Sequence, residues 1–409
     1  MDVDRFSESF VCSGCRHETP ADVFHTFCNR CSEPLLLEFR SNNPIFQWKK
    51  GLFLERFHDF LPIENARLWA DPGTGDTPLV SLPAIADKYG LPPLYAKMES
   101  AEPTGSFKDR GTAVAVQKAL ELGISAIGTV STGNMAASTA AYGARAGLKT
   151  VILVKEDTAE DKIKAAGIYG ADMIRVRGDY GALFRKSLEL GRKHGIWFMN
   201  SVDPYRIEGY KTLSFELYDD LSEKPPDYLC VPVSAGGHLT GLIKGFEELR
   251  EMGLTEVLPR MIGVQAAGCS PIVQAFERGD SHVTRIEKPD TIAHAISNPD
   301  PPAGSLVLKK MKEHEGEMTA VTDEQILQAQ QELAALEGIF CQPASATTLA
   351  GWIQFTRSHP VERRSRCVLV ITGSGLKTVG QVDSCALSIR DSDLTDLDSL
   401  LSSIKKGHP

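Results

Sequence analysis

Short β-branched or apolar runs that alternate with longer amphipathic ones confine this chain to a narrow class of folds. From Leu91 onward it reads PLYAKME, a helical run to Gly123, AIGTVS, a second helical run from Asn134 to Gly147, and TVILVKE. Further strand-like runs are MIRVR, WFMNS, YLCVPVS, MIGVQAA and RCVLVIT. This alternation predicts mostly parallel sheets covered by helices, an α/β fold. With 409 residues, 42% of them apolar, the chain can fill two or three cores.

Four of the strands run into small-residue loops: PTGSFK, STGN, SAGGHLTG and TGSG. In open α/β sheets ligands sit beyond the carboxyl ends of the strands, where helix N-termini offer free amides. Nucleotide-binding versions of these loops fail on spacing. A P-loop has glycine before its lysine and Ser or Thr after it, whereas Lys108 lies between Phe107 and Asp109. SAGGHLTG and TGSGLKTVG do not keep G-x-G-x-x-G either. A lysine at a strand-to-helix turn is ordinarily a surface charge. It becomes a reagent when it is desolvated and condenses with an aldehyde cofactor, which in turn requires an anion cradle and hydrogen bonds to its ring.

The formal charge of −9 arises from acids and bases mixed along the chain, without the basic clusters that neutralise a nucleic-acid backbone. No apolar run approaches membrane-spanning length, and MDVDRFSESF lacks a basic region followed by an apolar one. A soluble, cytoplasmic protein acting on a small molecule is expected, with no nucleic-acid or membrane partner.

Of nine cysteines, Cys230, Cys269, Cys341, Cys367 and Cys385 are isolated, mostly in apolar runs, and are expected as buried thiols. Cys12 and Cys15, then Cys28 and Cys31, form two C-x-x-C pairs twelve residues apart, a spacing that suits two knuckles on one structural Zn2+. Redox-active or fortuitous cysteines are the alternative. Residues 1–45 thus read as a zinc-ribbon-like segment. The aromatic and basic stretch from Phe46 to Pro62 is expected to pack the ribbon or a connecting helix against the main body.

PTGSFKDRG, STGN, NSVDPYRIEGYKT, GIFCQPASA and TGSGLK, in this order from about Asp76 to about Gly380, resemble the threonine synthases of the fold type II pyridoxal-phosphate enzymes. The resemblance implies two three-layer αβα domains with mostly parallel sheets, beside the small N-terminal ribbon. Residues 46–100 and 205–385 would form a large cofactor-binding domain, 101–204 a small substrate-binding domain, and 386–409 a helical tail. Lys108 would form the Schiff base with pyridoxal 5'-phosphate, Asn134 would hydrogen-bond its ring oxygen, and Thr372 would meet its pyridine nitrogen. Ser234, Ala235, Gly236, Gly237 and His238 would cradle its phosphate. The substrate, O-phospho-L-homoserine, would present its carboxylate to Ser131, Thr132 and Gly133 and its phosphate to Asn200, Ser201 and Arg206. γ-Elimination of phosphate and addition of water at the β-carbon would yield L-threonine. A homodimer is implied as well.

Several positions depart from that pattern. Met135 replaces a threonine after STGN, the G-N-A-G-N loop reads Ser234 to His238, N-S-V-N-P carries Asp203, and E-P-A-S-A begins with Gln342. The A-I-R-I-G-N-P stretch is shortened to Ala295–Pro299 and lacks its arginine. One reading is divergence among threonine synthases, with His238 as a replacement donor. Another is a paralogue that keeps the Lys108 chemistry but eliminates or replaces at the β- or γ-carbon of another amino acid, ammonia-lyases included. A third is a silent amino-acid-binding protein. In the tail, Leu394, Leu397, Leu401 and Ile404 share one helical face and are expected to dock on the body or across a dimer.

Overall fold

The computed structural model describes residues 6–41, 51–156, 158, 160–381 and 389–406. Three sheets organise the unit that ends at Lys377. The first is antiparallel and small, β1 (Phe6–Cys12) lying between β2 (Glu18–Pro20) and β3 (Leu35–Ser41).

The second has six strands: β4 (Leu79–Ser81), β5 (Leu94–Lys97), β10 (Tyr228–Pro232), β11 (Arg260–Ala266), β12 (Glu317–Val321) and β13 (Cys367–Val370). Their spatial order is β12-β11-β10-β13-β5-β4, all parallel except the edge strand β4. The third is wholly parallel. It comprises β6 (Ala126–Val130), β7 (Lys149–Lys155), β8 (Asp172–Val176) and β9 (Ile196–Phe198) in the order β8-β7-β6-β9.

Each parallel sheet is covered on both faces, so the α/β expectation holds. On β7, Ile152 and Val154 pack with Ala136 and Ala140 of the helix Asn134–Ala146, while Val151 and Leu153 pack with Leu183 and Leu188 of the helix Tyr180–His194. Alternate residues of a strand point to opposite faces, which produces the three layers. The six-stranded sheet divides in the same way. Cys230, Ile262, Val264 and Leu369 meet Ala346, Leu349 and Trp352, whereas Leu229, Val231, Met261 and Val368 meet the other side's helices.

Three helices on that other side matter most: Lys108–Glu121, Pro204–Asp220 and Gly237–Glu251. Glycine lets their backbones touch. A Cβ on Gly209 would lie 2.2 Å from the Arg110 carbonyl oxygen, and one on Gly245 2.4 Å from that of Lys211.

The strand-like runs named above all form strands, whereas β1 to β4 and β12 come from stretches not read as strands. Cys230 and Cys367 are adjacent buried thiols with sulfurs 3.7 Å apart, and Cys269 and Cys341 are buried too; Cys385 lies outside the described residues. Of the Phe46–Pro62 stretch, the part from Gly51 is described, and Phe57 and Phe60 pack on Phe215. The second unit, from Thr378, contains a helix at Leu397–Lys406 on which Leu397, Leu401 and Ile404 stay partly exposed; Leu394 precedes it.

Candidate active site

The PTGSFK loop is fixed by the residues on either side of it. Asp109 accepts hydrogen bonds from the amide (2.6 Å) and hydroxyl (2.7 Å) of Thr104, and Gly105 takes a left-handed φ of 75°. Ser106 bridges Gly373, the Phe107 amide donates to the Thr372 carbonyl at 3.1 Å, and Lys377 donates to the Thr104 carbonyl at 2.7 Å. Lys108 then opens its helix. Its amine lies 4.2 Å from the Phe107 ring centroid and 6.0 Å from that of Tyr210, with no hydrogen-bond partner among the described residues. Burial, with the nearby Arg206 guanidinium, lowers its pKa from 10.5 to about 7. Much of this amine is therefore unprotonated at neutral pH, as a nucleophile requires.

The TGSG loop and the QPASA helix close one side. Thr372 shares a 2.9 Å hydrogen bond with Ser345, whose hydroxyl also accepts from the Gly373 amide at 3.0 Å. Asn134 donates from its carboxamide to Gln342 at 2.8 Å. Gln342 caps the helix Pro343–Ser358, and Ser345 lies one turn on. Beside Asn134 lie Ser131, Thr132 and Gly133, with the Gly133 amide donating to the Ser131 hydroxyl at 3.2 Å.

Beyond β10, the backbone amides of Ser234, Ala235, Gly236, Gly237 and His238 donate to no described residue. Gly236 has φ 96°, and a Cβ on Gly237 would stand 2.3 Å from the Ser201 carbonyl oxygen. Consecutive free amides at the start of a helix form a concave anion site. His238 is 7% exposed, stacks on Phe107 at 3.9 Å, and has neither ring nitrogen hydrogen-bonded.

The residues expected to hold a substrate phosphate are placed differently from one another. Asn200 is engaged: its carboxamide oxygen accepts from the Val130 amide (2.9 Å) and Thr129 hydroxyl (3.1 Å), and its nitrogen faces the Ser187 hydroxyl. Arg206 is fully buried and donates to the Lys108 carbonyl at 3.0 Å and to the Tyr210 hydroxyl at 3.1 and 3.0 Å. Its Nη1 has no hydrogen-bond partner, and no carboxylate pairs with it among the described residues. Asp203 is no free charge in an anion site. It caps the helix Pro204–Asp220, accepting from the Tyr205 and Arg206 amides and from the Trp197 indole at 2.8 Å. Burial raises its pKa to about 6. Met135 and Ala235 are both buried.

These atoms fit pyridoxal phosphate: an unpaired low-pKa amine, five free amides for its phosphate, and a hydroxyl and a carboxamide that can face its ring. Sequence reasoning missed Ser345 and Tyr210. Only the three-residue offset from Gln342, one helical turn, signals the former. The four N-terminal cysteine sulfurs lie within 4.8 Å of one another, with Cys12 to Cys31 at 3.3 Å and Cys15 to Cys28 at 3.7 Å. Sulfurs about 2.3 Å from a tetrahedral zinc would lie about 3.8 Å apart, so this cluster fits that ion.

The sequence from 70 to 373 matches the family model of the pyridoxal-phosphate dependent enzymes. The chain is 39% identical over 330 residues to the threonine synthase of Methanocaldococcus jannaschii, covering 80% of this chain and 82% of that one. It is 40% identical over 332 residues to the threonine synthase of Halalkalibacterium halodurans, covering 81% and 90%. Among solved structures, maize serine racemase superposes with a TM-score of 0.64 at 20% identity over 84% of this chain and 97% of that one. An O-ureido-L-serine synthase gives 0.64 at 20% over 83% and 100%; both likenesses concern the fold. With the amine, the cradle and the ring-facing polar groups gathered around one helix start, the chain belongs to the pyridoxal-phosphate dependent enzymes and has threonine synthases among its relatives.

Proposed function

We propose that this protein is a pyridoxal-phosphate-dependent lyase of threonine-synthase type, converting O-phospho-L-homoserine and water to L-threonine and phosphate. The observation that carries the reading is Arg206: a fully buried guanidinium with no carboxylate partner among the described residues and one free NH2, tied to the carbonyl of Lys108. An unpaired buried cation is costly, and a phosphate ester is the anion a guanidinium matches best. The identity of about 40% to threonine synthases supports the same reading.

Pyridoxal phosphate, bound through Lys108, supplies an electron sink for charge at the substrate α- and β-carbons. The chain does the rest. The Lys108 amine, held neutral by burial, takes the α-carbon proton and then a β-carbon proton so that phosphate can leave the γ-carbon. Protons return to the γ- and α-carbons, and water adds its hydroxyl at the β-carbon while its proton goes to the released phosphate. Asn134, oriented by Gln342, and Thr372, oriented by Ser345, hold the cofactor ring. Thr372 is a neutral group there, so it does not enforce a protonated pyridine as a carboxylate would. The free amides from Ser234 to His238 hold the cofactor phosphate, while Ser131, Thr132 and Gly133 receive the substrate carboxylate. Ser201 offers a further donor beside the Arg206 helix, and the small four-stranded unit carries the substrate side. Zn2+ on Cys12, Cys15, Cys28 and Cys31 is structural, because four thiolates leave no open position. The resemblance also supports a homodimer, which sedimentation of the purified protein would test.

The deciding experiment adds O-phospho-L-homoserine to the purified holoenzyme and assays threonine and phosphate together. Equimolar products are expected. A cofactor spectrum that ignores this substrate but responds to another amino acid would replace the reading with a paralogous elimination or replacement enzyme. The buried Met135 and Ala235 are the positions that favour that alternative.

A further inference from the structure

His238 is the polar side chain that the arrangement above leaves without a task. Its ring is more than nine-tenths buried at the first turn of the helix Gly237–Glu251, among five backbone amides that lack partners. It stacks on Phe107, the ring over which the Lys108 amine lies, and meets Tyr210 edge-on at 5.6 Å. Tyr210 carries Arg206 on its hydroxyl, so the imidazole and the free Nη1 flank one residue. Buried polar atoms without partners are costly, so an unpaired imidazole on the same turn as unpaired amides calls for a partner that the described residues do not supply.

We propose that His238 is a proton-coupled phosphate ligand: its imidazole is neutral before an anion arrives and takes one proton from solvent when a phosphate dianion binds beside it. The charges around it set the sign. Burial, then the charges of Lys108 and Arg110 on the adjacent helix Lys108–Glu121, hold its pKa well below 6.5, and Arg110 is itself paired with Glu99, Glu102 and Glu216. Arg206 lies behind Tyr210 on the adjacent helix. Asp203 is committed to its cap, and Lys244 and Lys310 to Glu208 and Glu247. No carboxylate pairs with the imidazole among the described residues. The cofactor phosphate on the neighbouring amides and a substrate phosphate are the anions that could reach this spot, and an anion against an imidazole favours the protonated ring. The site would thereby prefer a dianionic phosphate ester over a neutral hydroxyl group of the same length. This inference rests on the phosphate-substrate reading, although the cofactor phosphate offers the same chemistry, and the test separates them.

The probe is sulfate, which stays dianionic across the range, titrated calorimetrically into the holoenzyme in buffers of differing ionisation enthalpy. Uptake approaching one proton per site is expected, with affinity falling by about tenfold per pH unit between the ring's lowered pKa in the free site and its raised pKa in the complex. Both should vanish in His238→Asn and His238→Gln, whose folding is checked by circular dichroism and by the cofactor absorbance. If neither variant folds, the proton count of the unaltered enzyme decides alone. In parallel, the 31P resonance of the bound cofactor is followed from pH 5.5 to 8.5. Proton uptake with sulfate assigns His238 to the substrate phosphate. A 31P titration lost in the variants, without sulfate-linked uptake, assigns it to the cofactor phosphate and removes support from a phosphorylated substrate. Sulfate binding without proton uptake, together with a flat 31P resonance, overturns the proposal.

Discussion

The Lys108 amine is set apart by what surrounds it: burial, an aromatic ring on one side, a guanidinium nearby and, among the described residues, no carboxylate to hold its proton. Because its folded pKa is lowered to about 7, the neutral amine dominates above that value and is lost as pH falls through it. Capture of added pyridoxal phosphate by the cofactor-free protein should plateau above pH about 7. Below that it should slow by about tenfold per pH unit, which stopped-flow absorbance would measure; a rate still rising up to pH 10 would mean an ordinary lysine. Lys108→Ala should abolish the borohydride-trappable adduct. Gln342→Ala should weaken cofactor retention by about fivefold, the worth of roughly 1 kcal/mol for one hydrogen bond, because Asn134 loses the oxygen that orients it. Equilibrium dialysis reads that loss. Lys108 was legible because its loop sits where a strand-like run gives way to a helix-like one. The Asn134–Gln342 pair was not, since its partners are 208 residues apart and only the folded chain joins them. Asp203, a departure visible in the sequence, has partners that were not: it accepts from the Tyr205 and Arg206 amides and from the Trp197 indole.

At the level of elements, the site is the meeting of three helix starts, those of Lys108, Arg206 and His238, and glycine at the crossings sets their spacing. Gly209 is the sharpest case, because a methyl group there would stand 2.2 Å from a backbone oxygen that cannot swing away. Gly209→Ala should force apart the helices bearing Lys108 and Arg206, at a cost of about 1–3 kcal/mol typical of overpacking. Thermal unfolding would register this, and cofactor affinity should fall with it because the Arg206 to Lys108 bond spans the same crossing. An unchanged midpoint would mean that the helices have slack. The long β-branched runs made the central strands readable, since strands buried on both faces need nearly continuous apolar sequence. The short edge strand β4 and the half-buried edge strand β12, EMTAV, carry too little of that pattern to stand out. Strand order was beyond reach for another reason. Placing β13 between β10 and β5 depends on hydrogen-bond registers among segments hundreds of residues apart.

Across the whole first unit, polar contacts brace the ribbon against the helices that start near Lys108 and Arg206. Glu8 of β1 accepts from Lys118 at 2.9 Å, at the far end of the Lys108 helix, and from the Tyr205 hydroxyl at 3.1 Å, one residue before Arg206. Lys244 and Lys309 reach back to the carbonyls of Leu37 and Ser13. A segment of this size cannot bury enough apolar surface to fold unaided, so its order, and with it these contacts, should depend on metal. Stripping zinc with a chelator should release about one ion per chain and raise deuterium uptake in residues 6–41. It should also raise uptake at Lys118 and around Tyr205, where the ribbon's carboxylate is withdrawn. Glu8→Ala, with zinc retained, should reproduce the second effect without the first, at roughly 1–2 kcal/mol for bonds to a charged group. If chelation loosens only residues 6–41, the ribbon is a separate cap, and the catalytic helices hold their positions through their own packing alone.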